Sequence, residues 1–299
     1  MANLERKNPY FTEFENEYFN SENITAVIVD SGRSPLSNVI RNDLNKKWDL
    51  LPGKKWPNDT NPSRFRYEGH KVQDGKIILM VSPSVSYKDY AAWDQNFTIQ
   101  YGIDSAPLPI SVTTLIETTD HKLVLTKRKP EADYKAGGLS GVGGFMEIKK
   151  DAKPNGTPDI LGALKREANE ETGLESNELN ISSLNSIIYN PISGSVDLVF
   201  WSKTSLSTIK LARREHDEEN TLVFADMNPD SLQNLVLTRT NAFTVGVLGL
   251  LIAKGSEMFG KKWADETLGI FRLRGISYSE AVKRGPNLLR KLELKDSNK

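Results

Sequence analysis

The chain has 299 residues, 38% hydrophobic and 26% charged, which is enough apolar material for one large domain or two modest ones. Its 39 basic and 39 acidic residues cancel, which argues against bulk capture of nucleic acid by a basic surface. The absence of cysteine excludes disulfides, zinc–thiolate sites, iron–sulfur clusters and cysteine nucleophiles, and His70, His121 and His216 are too scattered for a histidine-rich metal motif.

The N-terminal residues MANLERKNPYFTEFENE lack the apolar core of a signal peptide. Residues 24–30 (ITAVIVD) read as a strand, and a polar stretch with Trp48, Trp56 and several prolines follows. Residues 64–70 and 76–81 flank Gln73-Asp74-Gly75, and Asp-Gly is a preferred pair for a type I′ hairpin turn. Residues 86–93 (SYKDYAAW) predict a short helix with aromatic anchors. In residues 104–109 (DSAPLP) two prolines interrupt any regular element. They mark the expected boundary between a β-rich extension, 1–106, and a second domain, 107–299.

Beyond it, residues 111–118 and 122–129 predict two strands joined by a turn at Thr119–His121. A glycine-rich segment (GGLSGVGG, 137–144) leads into Phe145-Met146-Glu147, and a polar insertion spans 149–158. Residues 159–172 carry a helical pattern with Gly173 as its stop. Strands are expected at 184–189, 196–203 and 222–225, with a charged loop at 213–220, and helices thereafter. The longest apolar run, residues 242–253 (AFTVGVLGLLIA), is too short to cross a bilayer and reads as a buried helix. Strands alternating with helices predict an α/β or α+β sandwich. The expectation is a soluble, cytoplasmic protein with no membrane partner.

The chemistry concentrates in Arg166-Glu167-Ala168-Asn169-Glu170-Glu171-Thr172-Gly173-Leu174. On a helix, Glu167, Glu170 and Glu171 stand at i, i+3 and i+4 and share one side, where like charges repel. Oxygen ligands so placed suit magnesium or manganese. Leu161, Leu164 and Ala168 are free to bury the other side. A lone run of glutamates is ordinarily a solvated helix face. The flanking arginine and glycine, and the upstream Gly143-Gly144-Phe145-Met146-Glu147, argue for more than that.

This segment resembles the second half of the Nudix box, and Gly143–Glu147 resembles the family's Gly-Gly-x-x-Glu loop. The resemblance covers about residues 110–230. It implies an α/β/α sandwich with a mixed sheet, here behind an N-terminal β-rich extension, and water attack on a pyrophosphate bridge with Mg2+, or Mn2+, bound. It implies that Glu167, Glu170 and Glu171 ligate the metal and that Arg166 orients a carboxylate through a salt bridge. Gly143 and Gly144 would present backbone groups to metal or phosphate. A general base would come from a later loop, with Glu218 or Glu219 favoured. Lys127 and Arg128, at a strand end, would meet phosphates.

The chain departs from the family at one point. The box's further glutamate precedes Arg-Glu at a fixed short distance, and Pro158 occupies that position here. The insertion DAKPNGTP interrupts the spacing, leaving Asp159 or Glu147 to stand in. The segment SPSVSYKDYAAWD ahead of a broken box is similar to N-terminally extended Nudix proteins that cleave UDP-glucose to UMP and a sugar phosphate. A nucleotide-sugar therefore ranks first, ahead of ADP-ribose and dinucleoside polyphosphates. The rival reading is a non-catalytic nucleotide sensor, against which the full glutamate set argues. A DNA-bound regulator is disfavoured, because residues 272–290 are basic without a helix-turn-helix pattern. A small-molecule partner is expected, and a homodimer stays open.

Overall fold

The computed structural model describes residues 12–13, 18–29, 36–51, 62–129, 137–190, 193–215, 220–239 and 243–273. In chain order these form β1 (Thr12–Glu13), β2 (Phe19–Asn20), β3 (Ile24–Ile28), α1 (Asn38–Leu50), β4 (Ser63–Gln73), β5 (Lys76–Ser86), α2 (Tyr87–Ala92) and α3 (Gln95–Tyr101). Next come β6 (Ile110–Glu117), β7 (Lys122–Arg128), β8 (Leu139–Ser140), β9 (Val142–Phe145), α4 (Ile148–Asp151), α5 (Ile160–Thr172), β10 (Leu179–Asn190) and β11 (Ser195–Thr204). The last are α6 (Thr208–Leu211), β12 (Asn220–Asp226), α7 (Pro229–Arg239), α8 (Val245–Phe259) and α9 (Lys261–Leu273). The class is mixed α/β.

Two compact units are present. The first holds Met1–Thr113, Gly143–Arg166 and Ile181–Phe200, and the second holds Thr114–Val142, Glu167–Asn180 and Trp201–Lys299. Strands β6, β10 and β11 and helix α5 contribute residues to both.

In the first unit the strands run β1-β10-β11-β6, with β2 also on β10 and β9 on β6, beside a three-stranded sheet β3-β5-β4. The β4–β5 hairpin closes through Asp74 (φ 51°) and Gly75 (φ 71°), the two positive φ values that a type I′ turn needs. Phe65, Tyr67, Ile77, Leu79 and Val81 of this hairpin are fully buried. Helix α2 starts with a capping box in which Ser86 accepts from the Asp89 amide and the Asp89 side chain accepts from the Ser86 amide. Residues 38–50, within the polar stretch for which no element was expected, are helical. The Ser37 hydroxyl caps the Ile40 amide, and Ile40 and Leu44, one turn apart, are buried.

The double-proline segment is strapped to β4. The Arg66 guanidinium donates to the Asp104 and Ala106 carbonyls, 3.3 and 3.2 Å, and pairs with Glu68. The Ser82 hydroxyl satisfies the second Glu68 oxygen at 2.6 Å. The Tyr67 amide donates to the Leu108 carbonyl at 2.9 Å.

In the second unit the order is β6-β7-β12, with β8 on β7. β7 and β12 are antiparallel over their full length, from Asn220↔Arg128 to Asp226↔Lys122. Helix α8 supplies the apolar Val247, Leu248, Leu250 and Leu251, all buried, as expected for residues 242–253, of which 242 lies outside the described residues. Among the described residues no helix is long and apolar enough to cross a membrane.

One carboxyl inside the first unit titrates abnormally. Asp197 on β11 is pushed up to about 6 by burial, although a hydrogen bond from the Ser111 hydroxyl opposes the rise. The folded chain therefore holds this proton more tightly than the unfolded chain does. The stability it contributes is full below the ordinary value of 3.8 and is lost as pH rises through about 6. Asp197→Asn should remove that dependence: urea unfolding at pH 4 and pH 7 should show the variant gaining on the wild type as pH rises.

Candidate functional site

The expected helix forms as α5. Asp159 caps its start, accepting the Gly162 amide at 3.2 Å on its side chain and the Ala163 amide at 2.8 Å on its carbonyl. Leu164 and Ala168 are fully buried and Leu161 half-buried, so the apolar stripe lies inward as the spacing required. Glu167 and Glu171 are half-buried and Glu170 is exposed.

In the first unit, the partner of Arg166 is Asp151. Its guanidinium donates from Nε to Oδ1 at 2.8 Å and from Nη2 to Oδ2 at 2.9 Å, a two-pronged pair. Asp151 is buried, and its Oδ2 also accepts the Glu147 amide at 2.8 Å. Asp159 is spent on the helix cap, and the Glu147 side chain pairs with Lys150 at 3.6 Å.

The insertion brings Asp151 back to the start of α5. Residues 152–158 fold as a small hairpin, with an Ala152↔Pro158 bridge and the Lys153 amide on the Thr157 carbonyl at 2.8 Å. The Asp159 amide donates to the Asp151 carbonyl at 2.7 Å, so residues eight apart in sequence meet in space. Fixed spacing along the chain points at Pro158; in space Asp151, just before the detour, meets Arg166. The signal available in the sequence was the acid at the insertion's first position.

Gly143, with φ 151°, lies against β6. A Cβ there would stand 2.0 Å from the Val112 carbonyl oxygen, so close strand approach by itself requires glycine. Gly144 follows on the same strand and is half-buried.

In the second unit, the C-terminal end of α5 is closed by the Gly173 amide on the Asn169 carbonyl at 2.8 Å and by Asn169 Nδ2 on the Leu174 carbonyl at 3.1 Å. Gly173 (φ 69°) admits the backbone of the charged loop: a Cβ would lie 2.4 Å from the Glu215 carbonyl oxygen. Arg214 fastens the same loop to Glu178 at 2.5 Å. Arg214 and Glu215 thus lie at the C-terminal end of α5. Residues 216–219, with Glu218 and Glu219, lie outside the described residues.

Lys127 is exposed at the end of β7, and Arg128 is half-buried. The Arg128 amide donates to the Gly138 carbonyl at 2.9 Å, while its Nε is shut off from solvent and has no hydrogen-bond partner among the described residues. An anion delivered there would satisfy it.

Among the described residues no group of three or more His, Asp or Glu side chains is arranged to hold a metal ion by itself. The donor chemistry nonetheless fits a hard cation, since Glu167, Glu170 and Glu171 supply carboxylate oxygens along one helix with access to water. Magnesium is ordinarily bound by one or two carboxylates, with waters and substrate phosphates completing its shell, and does not require an all-protein cage.

No family model matches the chain, and no curated protein matches it. Solved structures do. A MutT protein from Methanosarcina mazei Go1 is 15% identical, with 52% of this chain and 98% of that one covered at a TM-score of 0.38. A Nudix hydrolase from Nitrosomonas europaea is 17% identical, with 50% and 88% covered at 0.35. A Nudix-family hydrolase from Clostridium perfringens is 16% identical, with 50% and 98% covered at 0.33. The chain is similar to Nudix hydrolases. At these identities and scores the likeness is one of fold alone, and the chemistry has to be argued from the residues.

Removing one partner of a buried ion pair strands the other. Arg166→Met should lower the unfolding free energy by roughly 3–5 kcal/mol, because it leaves the buried Asp151 without its guanidinium. Glu170→Gln, on the exposed surface, should change it by less than about 0.5 kcal/mol. Urea unfolding followed by circular dichroism checks both.

Proposed function

We propose that this chain is a metal-dependent Nudix-type pyrophosphohydrolase acting on a nucleoside diphosphate linked to another group. A nucleotide-sugar such as UDP-glucose, cleaved to UMP and a sugar phosphate, is the first-ranked substrate. Residues 1–106 are read as an extension to the catalytic part, 107–299.

The observation that carries the reading is the two-pronged pair between buried Asp151 and half-buried Arg166, directly preceding Glu167, Glu170 and Glu171 on α5. It supplies the carboxylate partner that the box arginine calls for, in spite of the insertion. Placed there, Arg166 stiffens the helix at the residue before the first glutamate.

In this reading Glu167, Glu170 and Glu171 hold Mg2+ or Mn2+, which when bound neutralises phosphate charge and lowers the pKa of a bound water. Lys127 and Arg128 receive phosphate oxygens through charge-assisted hydrogen bonds. By the resemblance, Gly143 and Gly144 present backbone groups to metal or phosphate, and Glu218 or Glu219 takes the proton from the attacking water. The cut falls at the phosphoanhydride because its developing charge is spread over oxygens that cations and arginines can meet.

The test is hydrolysis of a panel of nucleotide-sugars, ADP-ribose, dinucleoside polyphosphates and nucleoside triphosphates, with Mg2+ or Mn2+ and with chelator. Cleavage of the nucleotide-sugars, abolished by chelator and by Glu170→Gln, is the expected result. Turnover that survives complete chelation would sink the mechanism. Tight nucleotide binding without turnover would move the chain to the sensor reading.

A further inference from the structure

Arg64, on β4 in the extension, is a buried cation held by rings. Its guanidinium carbon lies 4.3 Å from the centroid of Phe145 and 5.3 Å from that of Tyr87. Phe145 in turn meets Tyr90 edge-on at 4.6 Å, and Tyr87 meets Trp48 edge-on at 6.3 Å. A desolvated arginine stacked on rings is bound more firmly than an exposed one, because water no longer competes for the charge.

Phe145 is the residue that follows Gly143 and Gly144. The backbone around it is pinned at three further points. Arg64 bridges Glu147 as an antiparallel β partner, the Met146 amide donates to the Ile110 carbonyl at 3.0 Å, and the Glu147 amide donates to Asp151. Asp151 carries Arg166. A continuous series of contacts inside the first unit therefore runs from the extension hairpin to the box arginine: Arg64, Phe145 and Glu147, Asp151, Arg166. The strand bearing Arg64 is itself tied down, through Arg66 and the Asp104 and Ala106 carbonyls.

We infer that Arg64 is a positioning residue for the Gly143–Glu147 loop, so that the extension takes part in catalysis without touching substrate. The inference rests on the hydrolase reading for its catalytic half alone. The clamp itself is a statement about the loop.

The experiment compares full-length wild type with Arg64→Met in two measurements. The first is amide hydrogen exchange at Met146 and Glu147, and the second is steady-state hydrolysis of the substrate found on the panel. We expect exchange at least about tenfold faster at those two amides and kcat lowered about tenfold or more with KM within about threefold, since a loop displaced by an ångström loses alignment before affinity. Should Arg64→Met fail to fold, Phe145→Leu removes the same stack from its half-exposed side and carries the same expectations. Unchanged exchange overturns the inference, and so does faster exchange with unchanged kcat. If wild type turns over nothing on the panel, the hydrolase reading falls, and exchange at Met146 and Glu147 still decides whether the clamp exists.

Discussion

A carboxylate out of contact with water must find compensation, and Asp151 finds all of it locally. Its two oxygens meet Nε and Nη2 of Arg166, and one also takes the Glu147 amide. Three donors aimed at one ion offset a desolvation cost that would otherwise expel it from the interior. The geometry has a consequence for the chain around it. Asp151 ends α4, Arg166 lies in the middle of α5, and Glu147 ends the glycine-bearing segment, so one ion pair fixes three pieces of backbone. Its strength as a constraint comes from the penalty of breaking it, not from any large net stabilisation of the intact pair.

The hairpin at 152–158 within the insertion is tolerated for the same reason. It leaves and re-enters the backbone at two residues joined by a 2.7 Å hydrogen bond, Asp159 amide to Asp151 carbonyl. A detour closed at its base adds little loop-closure cost and does not load the ends. Its own polar groups are satisfied within it, with Asn155 Oδ1 accepting from both the amide and the hydroxyl of Thr157. Asp151 and Asp159 are separated in sequence by the detour and joined in space.

Elements whose signals are local were legible in the sequence. The Asp74-Gly75 turn, the Ser86 capping box and the α5 pattern with Gly173 at its stop depend on residues within a few positions of one another. Helix α1 was missed because its charged residues mask a sparse apolar stripe of Ile40 and Leu44. Strands β10 and β11 extend beyond the apolar runs that suggested them, since buried polar residues at the ends of those runs, such as Ser183, Asn190 and Thr204, break the hydrophobic pattern. Asp151 was missed because chain spacing is a proxy for distance, and an insertion invalidates the proxy while leaving the distance intact. The acid type at the insertion's edge was visible, but not the hydrogen bond that brings it back.

The glutamates on α5 pose a different problem. Three like charges within two helical turns disfavour the helix they sit on, and the buried stripe of Leu164 and Ala168 has to hold it against them. On the proposed reading, a magnesium ion held by the α5 carboxylates keeps positions open for further oxygen ligands. The natural donors to a magnesium ion are phosphate oxygens, which a nucleoside diphosphate brings with it. On the proposed reading, cation and substrate would then complete each other's binding. Metal affinity without nucleotide would be modest, and each would raise the affinity of the other by the same factor, because linkage between two ligands is reciprocal. A pure sensor gains nothing from that arrangement unless the cation is its signal. A hydrolase gains a cation at the bond to be cut only when that bond is present.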